Sequence, residues 1–171
     1  MNIFHLSDSP ALSAQFQHDK HVVKMVLETA QLLSQAIRKR DDWWDKCDNN
    51  ISLYRITHVH HPSSRWCRAT TGNFKWLVEH GLALSREYTH RFYRTHKSQA
   101  IIEIADRLAD KLPDEPVTQF AMAMPVQYKT DDPVLSYRLY YINEKIQDDS
   151  NWTNRRRDLP DWLLRPALGI R

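Results

Sequence analysis

Apolar residues recur at helical spacing along most of this chain, and prolines and polar clusters punctuate the pattern. Residues 2–6 read as a short extended segment. Ser7-Asp8-Ser9-Pro10 then reads as a helix start, with capping oxygens ahead of a proline in the first turn. The helical pattern continues to Lys39, with a bend expected near His18-Asp19. Within it, Val22, Val23, Met25, Val26, Leu27, Ala30, Leu32 and Leu33 occupy most of the circumference, and a helix apolar nearly all round is expected to be buried. One polar seam interrupts it. His21, Lys24 and Glu28 stand at i, i+3 and i+7 and therefore stack along a single stripe, which Gln17, Gln31 and Gln35 extend. Such a seam either faces water or lines a cleft.

Further along, Asp41 to Asn50 is polar and reads as a surface loop carrying two tryptophans, and Tyr54 to His61 is irregular. Pro62 opens a short helix through Arg68. Asn73 begins a second strong helix, with Phe74, Trp76, Leu77, Leu84 and Tyr88 as expected core contacts. Ser98 caps a third, whose apolar face is Ile101, Ile102, Ala105, Leu108, Ala109 and Leu112, and Pro113 and Pro116 end it. A linker from Pro125 to Asp132 leads to a fourth helix that Pro133 opens and that holds Leu135, Leu139 and Ile142. From Trp152 the tail alternates tryptophan, arginine and proline. No repeat or interdomain linker interrupts the chain. The expected fold is all-α, a compact single-domain helical bundle over residues 1–171 with an irregular Trp/Arg-rich C-terminal tail.

Composition narrows the chemistry. Three glycines in 171 residues cannot build a Walker loop, a Rossmann glycine turn and the like, and no G-x-S-x-G elbow is present. Classical NTPase, dehydrogenase and serine-hydrolase readings are therefore poor. The net charge of +3 permits contact with nucleic acid without demanding it. Six tryptophans and seven tyrosines either fill the core or stack against bases. Cys47 and Cys67 make no disulfide framework, so a reducing cytoplasm is the default. The N-terminus lacks the pattern of a signal peptide, and no run of apolar residues is long enough to suggest a membrane span.

Within that frame, Glu28 suits general acid–base work or stabilisation of a cationic transition state, with Lys24 one turn away favouring its ionised form. His58, His60 and His61 invite a metal reading, but no Cys, Asp or Glu stands at ligand spacing beside them, so no metal is expected. Arg65, Arg68, Lys75, Arg86, Arg91, Arg94 and Lys97 interleave with aromatic residues, either as the solvated face of a helix or as a polyanion surface. Thr95-His96-Lys97-Ser98 lies where one helix ends and the next begins and is the best phosphate candidate. Arg65, Arg68, Arg91, Arg94, His96 and Lys97 are the expected phosphate ligands. Arg155-Arg156-Arg157 either attracts polyanions or is simply solvated.

The spacing D-x-H-(x)6-E at Asp19, His21 and Glu28 resembles that of the phage pyrimidine-dimer DNA glycosylases, and His61-Pro62, Trp66 and Asn73-Phe74-Lys75-Trp76-Leu77 follow in similar order. The stretches D-K-H-V-V-K-M, T-H-K-S and A-M-P-x-x-Y-K also resemble small phage-encoded proteins. The resemblance covers about the first 100 residues. It implies a compact helical enzyme, without cofactor, that breaks the N-glycosidic bond of a damaged or modified base in DNA within a bacterial or phage-infected cell. It also implies that the N-terminal amine attacks the sugar C1′ to form an imine, assisted by a glutamate that Glu28 matches; His21 matches the family histidine. An α-amine with a pKa of about 7.7–8.0 is substantially neutral near pH 7 and so can act as a nucleophile. Position 2 is Asn2, large enough to leave the initiator methionine in place, so Met1 is expected to supply the amine. Leu27 and Ile3 stand where the family carries arginines, and Lys24 is a candidate replacement for that charge. The catalytic candidates are thus Met1, His21, Lys24 and Glu28. Two other readings stay open: a nucleotide- or base-modifying or hydrolysing enzyme on a related scaffold, and a nucleic-acid-binding protein without catalysis.

Overall fold

The computed structural model describes residues 1–46, 52–152 and 157–164. Every regular element among them is helical. α1 (Pro10–Gln15) starts as expected, the Ser9 hydroxyl accepting from the Leu12 N–H. The expected bend is a full break at residues 16–18, after which the chain restarts as α2 (Asp19–Lys39). α3 (Asp41–Trp44) is a single turn, and it corrects the expectation of a surface loop there. Trp43 is wholly buried, its ring 4.7 Å from that of Phe74 and with the Arg40 guanidinium 4.7 Å over it. An indole has too much apolar area to leave in water when a core lies one turn away, whatever the polarity of its neighbours. Cys47 to Ile51 lie outside the described residues.

α4 (Pro62–Cys67) is capped by His61, whose Nδ1 accepts from the Ser63 N–H. α5 (Thr71–Phe92) begins two residues before Asn73 because the Thr70 hydroxyl accepts from the Asn73 N–H. α6 (Gln99–Ala109) follows, with Ser98 at the cap position but its hydroxyl bonded to that of Tyr54 instead. A 3-10 turn (Val126–Tyr128) interrupts the linker. α7 (Pro133–Glu144) is capped by the Asp132 carboxylate, and α8 (Asp161–Leu164) is one turn within the tail.

α2 and α5 are the central pair. α5 packs against α1, α2 and α6, while α2 also meets α3, α4 and α6. They approach closely at Gly81, where a Cβ would lie 2.8 Å from Thr29 Cγ2. Trp66, Trp76 and Phe120 form an aromatic cluster with ring separations of 4.7–6.0 Å, onto which His5 stacks. These tryptophans therefore belong to the core. Val23 and Leu27, by contrast, point outward from α2. On α7 the buried face is aromatic: Leu135 is exposed, and Tyr137 and Tyr141 are buried. The two tyrosines bring more area than the leucines, and their hydroxyls find partners inside, Tyr137 donating to the Ala121 carbonyl at 2.7 Å. In the tail, Arg155 and Arg156 lie outside the described residues, while Arg157 forms a fork with both oxygens of Glu87. Among the described residues no helix is long and apolar enough to cross a membrane.

Candidate active site

The N-terminal segment is held by its apolar residues. Ile3, Phe4 and Leu6 are buried, and the Ser13 hydroxyl both accepts from the Leu6 N–H and donates to the Phe4 carbonyl. Asn2 adds a tie to the other half of the chain, its amide donating to the Ala123 carbonyl, while its oxygen accepts from the Ile3 N–H and lies 3.0 Å from the Tyr137 hydroxyl. The Met1 side chain is only 4 % exposed, with its sulfur 3.8 Å from the Ser64 hydroxyl. Together these contacts fix the α-amino nitrogen 3.7 Å from Glu28 Oε2.

Glu28 is buried on α2, and three groups share its charge. Oε2 also accepts from the Asn2 N–H at 2.9 Å, and Oε1 faces the Lys24 ammonium at 3.3 Å. The carboxylate opens onto a cleft of about 270 Å³ lined by Met1, Phe4, His21, Lys24, Glu28 and His61 from the N-terminal part, and by Ala123, Tyr140 and Lys145 from the C-terminal part. His21 stacks on Phe4 at 4.5 Å, and its Nδ1 lies 2.8 Å from the Tyr141 hydroxyl. Burial, then His18, Lys24 and Lys145, push its pKa down to about 3, so the ring is neutral at ordinary pH. His61 is shifted down as well, by burial and then by the N-terminal amine and His58, against an opposing pull from Glu28. The cleft thus holds a primary amine beside a carboxylate, a neutral imidazole, and two cations at its rim, Lys24 and Lys145. A larger cavity of about 490 Å³ lies elsewhere, between Phe16, Arg138, Arg157 and Trp162. It contains neither the amine nor Glu28.

Of the polar stripe on α2, His21, Lys24 and Glu28 meet in this cleft. Its extensions do not: Gln17 is buried against His80, and Gln35 is enclosed. The expected phosphate ligands lie elsewhere, since none of Arg65, Arg68, Arg91, Arg94, His96 and Lys97 lines the cleft. Arg91 is a correction. It is fully buried, bonded to Asp19 at 2.8 Å, to Glu87 at 2.7 Å, and to the carbonyls of Gln15 and Gln17. Its guanidinium neutralises two buried carboxylates and staples the end of α5 to the break between α1 and α2, so it is not available to a phosphate. Arg65, Arg94 and Lys97 are exposed; His96 is half-buried and accepts the Ser98 N–H; Arg68 donates to the Val59 carbonyl. Of the histidine run, His61 enters the cleft while His58 and His60 are exposed, and no three candidate metal ligands converge among the described residues.

A family model described as pyrimidine dimer DNA glycosylase matches residues 1–100. The chain belongs to the pyrimidine dimer DNA glycosylase family. No curated protein and no solved structure matches it. The glycosylase match takes in Met1, His21, Lys24, Glu28 and His61, but it ends before α7. One wall of the cleft, with Ala123, Tyr140 and Lys145, therefore lies beyond the part of the chain that carries the family pattern. The sequence reading did not assign Tyr140, Tyr141 or Lys145 to the site. A partial signal was the A-M-P-x-x-Y-K stretch, whose first residue, Ala123, is on the cleft.

Proposed function

We propose that this protein is a DNA glycosylase that breaks the N-glycosidic bond of a damaged or modified base, with the Met1 α-amine as nucleophile and Glu28 as its acid–base partner. The observation that carries this is the amine held 3.7 Å from a buried carboxylate at the floor of an open cleft. Membership of the glycosylase family supports the same reading. Glu28 takes a proton from the ammonium, freeing its lone pair to attack C1′. The C1′–N bond breaks, and its electron pair leaves with the base, which is protonated. Loss of the second amine proton and protonation of the ring oxygen open the sugar to an imine, and water then hydrolyses it. A carboxylate beside the nucleophile would also stabilise the positive charge that develops on the sugar, which lowers the barrier to bond breaking. Lys24 and Lys145 at the rim suit the flanking phosphates. A cleft of this size admits one nucleotide unit, so the target must leave the base stack to react.

The test is base release from duplexes carrying a pyrimidine dimer, a uracil or an abasic site, followed in single turnover. Release from the dimer or uracil duplex, or opening of the abasic sugar, is expected. A protein that binds all three duplexes and leaves each intact overturns the proposal.

A further inference from the structure

We infer that Tyr141 is a positioning residue for His21: its hydroxyl fixes the imidazole in the tautomer that carries the proton on Nε2, so that an uncharged hydrogen-bond donor faces the cleft toward an acceptor oxygen of the nucleotide's sugar–phosphate. The Tyr141 oxygen stands 3.1 Å from the His18 backbone nitrogen and 2.8 Å from His21 Nδ1. A backbone N–H can only donate, so the tyrosine accepts there, and its own proton is left for Nδ1. An accepting Nδ1 carries no proton, and a neutral imidazole must then carry it on Nε2. In the opposite arrangement the Tyr141 oxygen would accept twice and its proton would have no acceptor among the described residues, at a residue that is 0 % exposed.

The rest of the ring's surroundings complete the device. Phe4 stacks on one face at 4.5 Å with an interplanar angle of 12°, and His18 packs at 4.1 Å, so the ring cannot rotate freely. Nε2 has no partner among the described residues, and the side chain lines the cleft, so this donor is open to whatever enters. The charged and titratable groups around the ring are His18 just before α2, Lys24 on α2, Lys145 just after α7, and Met1, Glu28 and His61 along the cleft. The cations among them, together with burial, oppose a second proton, which keeps the donor neutral. Tyr141 lies outside the residues that match the family, so this lock comes from the chain's own C-terminal part.

The identity of the acceptor rests on the glycosylase reading; the tautomer does not. Long-range proton–nitrogen correlation spectra of the ¹⁵N-labelled full chain read the tautomer directly. In the wild type at neutral pH, His21 is expected with Nε2 protonated and Nδ1 bare. In Tyr141→Phe it is expected as a mixture of tautomers, titrating closer to the ordinary value of 6.5, because the lost bond is one that only the neutral ring accepts. Addition of a duplex with a tetrahydrofuran abasic analogue should shift the Nε2 resonance of the wild type. Trapping on abasic DNA should fall by up to about 100-fold in Tyr141→Phe, the scale of a misplaced reacting group. A proton on Nδ1 in the wild type, a doubly protonated ring at neutral pH, or an unchanged tautomer in Tyr141→Phe overturns the inference. The wild-type spectrum decides even if the variant does not fold. An Nε2 resonance indifferent to the abasic duplex overturns the substrate-facing half, and an Nε2–H tautomer in a protein inert on DNA upholds the lock while removing the glycosylase reading.

Discussion

At the scale of single residues, Glu28 carries the most consequence. Glu28→Gln keeps an acceptor for the Asn2 N–H but loses the charge that faces Lys24 and the Met1 amine. Single-turnover base release should therefore fall by roughly 10²–10⁴-fold with the fold intact, the range for loss of a positioned acid–base group; undiminished release would remove Glu28 from the chemistry. The arginines of the basic run separate by burial. Arg91→Ala leaves Asp19 and Glu87 buried, Glu87 keeping only Arg157, and should cost about 3–5 kcal/mol in urea unfolding. Exposed Arg94→Ala should stay within about 0.5 kcal/mol. Equal effects would mean that Arg91 is not the staple described. The α2 stripe was legible in the sequence because helical periodicity alone places His21, Lys24 and Glu28 together. The role of Arg91 was not, since an arginine that binds phosphate and one that neutralises buried carboxylates look alike, and the deciding Asp19 lies 72 positions away.

At the scale of elements, prolines, caps and apolar spacing located the helices well, and the differences arise where aromatic side chains choose the buried face. Tyr137 and Tyr141, which the sequence pattern did not single out, are the buried residues of α7 with Ser136, and Trp43 pulls a polar stretch into α3. Tyrosine is apolar over most of its area, but its hydroxyl needs an interior partner, and the partners here come from distant segments: Asn2, Ala121 and His18. The first turn of α5 shows another distant constraint. A Cβ on Gly72 would lie 2.2 Å from the Glu115 carbonyl oxygen and 2.6 Å from Pro116 backbone, atoms that a side-chain rotation cannot move. Gly72→Ala should therefore destabilise by about 1–3 kcal/mol or more, as overpacking does. An unfolding midpoint equal to that of the wild type would show that the backbone of residues 115–116 shifts freely.

At the scale of the whole molecule, neutral buried histidines make stability depend on pH. Burial, the first cause in each, lowers His5, His18 and His80 to about 4 from an ordinary 6.5. In that window the unfolded chain binds more protons than the folded one, so stability is complete above about 6.5 and falls as the pH drops toward 4. Urea unfolding across the window should show a decline of about 1.4 kcal/mol per pH unit for each such histidine where the two states differ fully; a flat profile would mean that these rings are charged or exposed. The site too is a property of the whole chain. Its amine, carboxylate and imidazole come from the part that carries the family pattern, and Tyr140, Tyr141 and Lys145 come from α7 and its C-terminal cap, which no periodicity ties to the N-terminus. The central claim is that the chain's first nitrogen performs the chemistry. The most direct measurement is intact-mass analysis after incubation with dimer-, uracil- and abasic-containing DNA plus borohydride, with the adduct mapped by peptide sequencing. A reduced imine on the Met1 α-amine is expected. An adduct on Lys24 or Lys145, or no adduct while a free nucleotide is turned over, would contradict it.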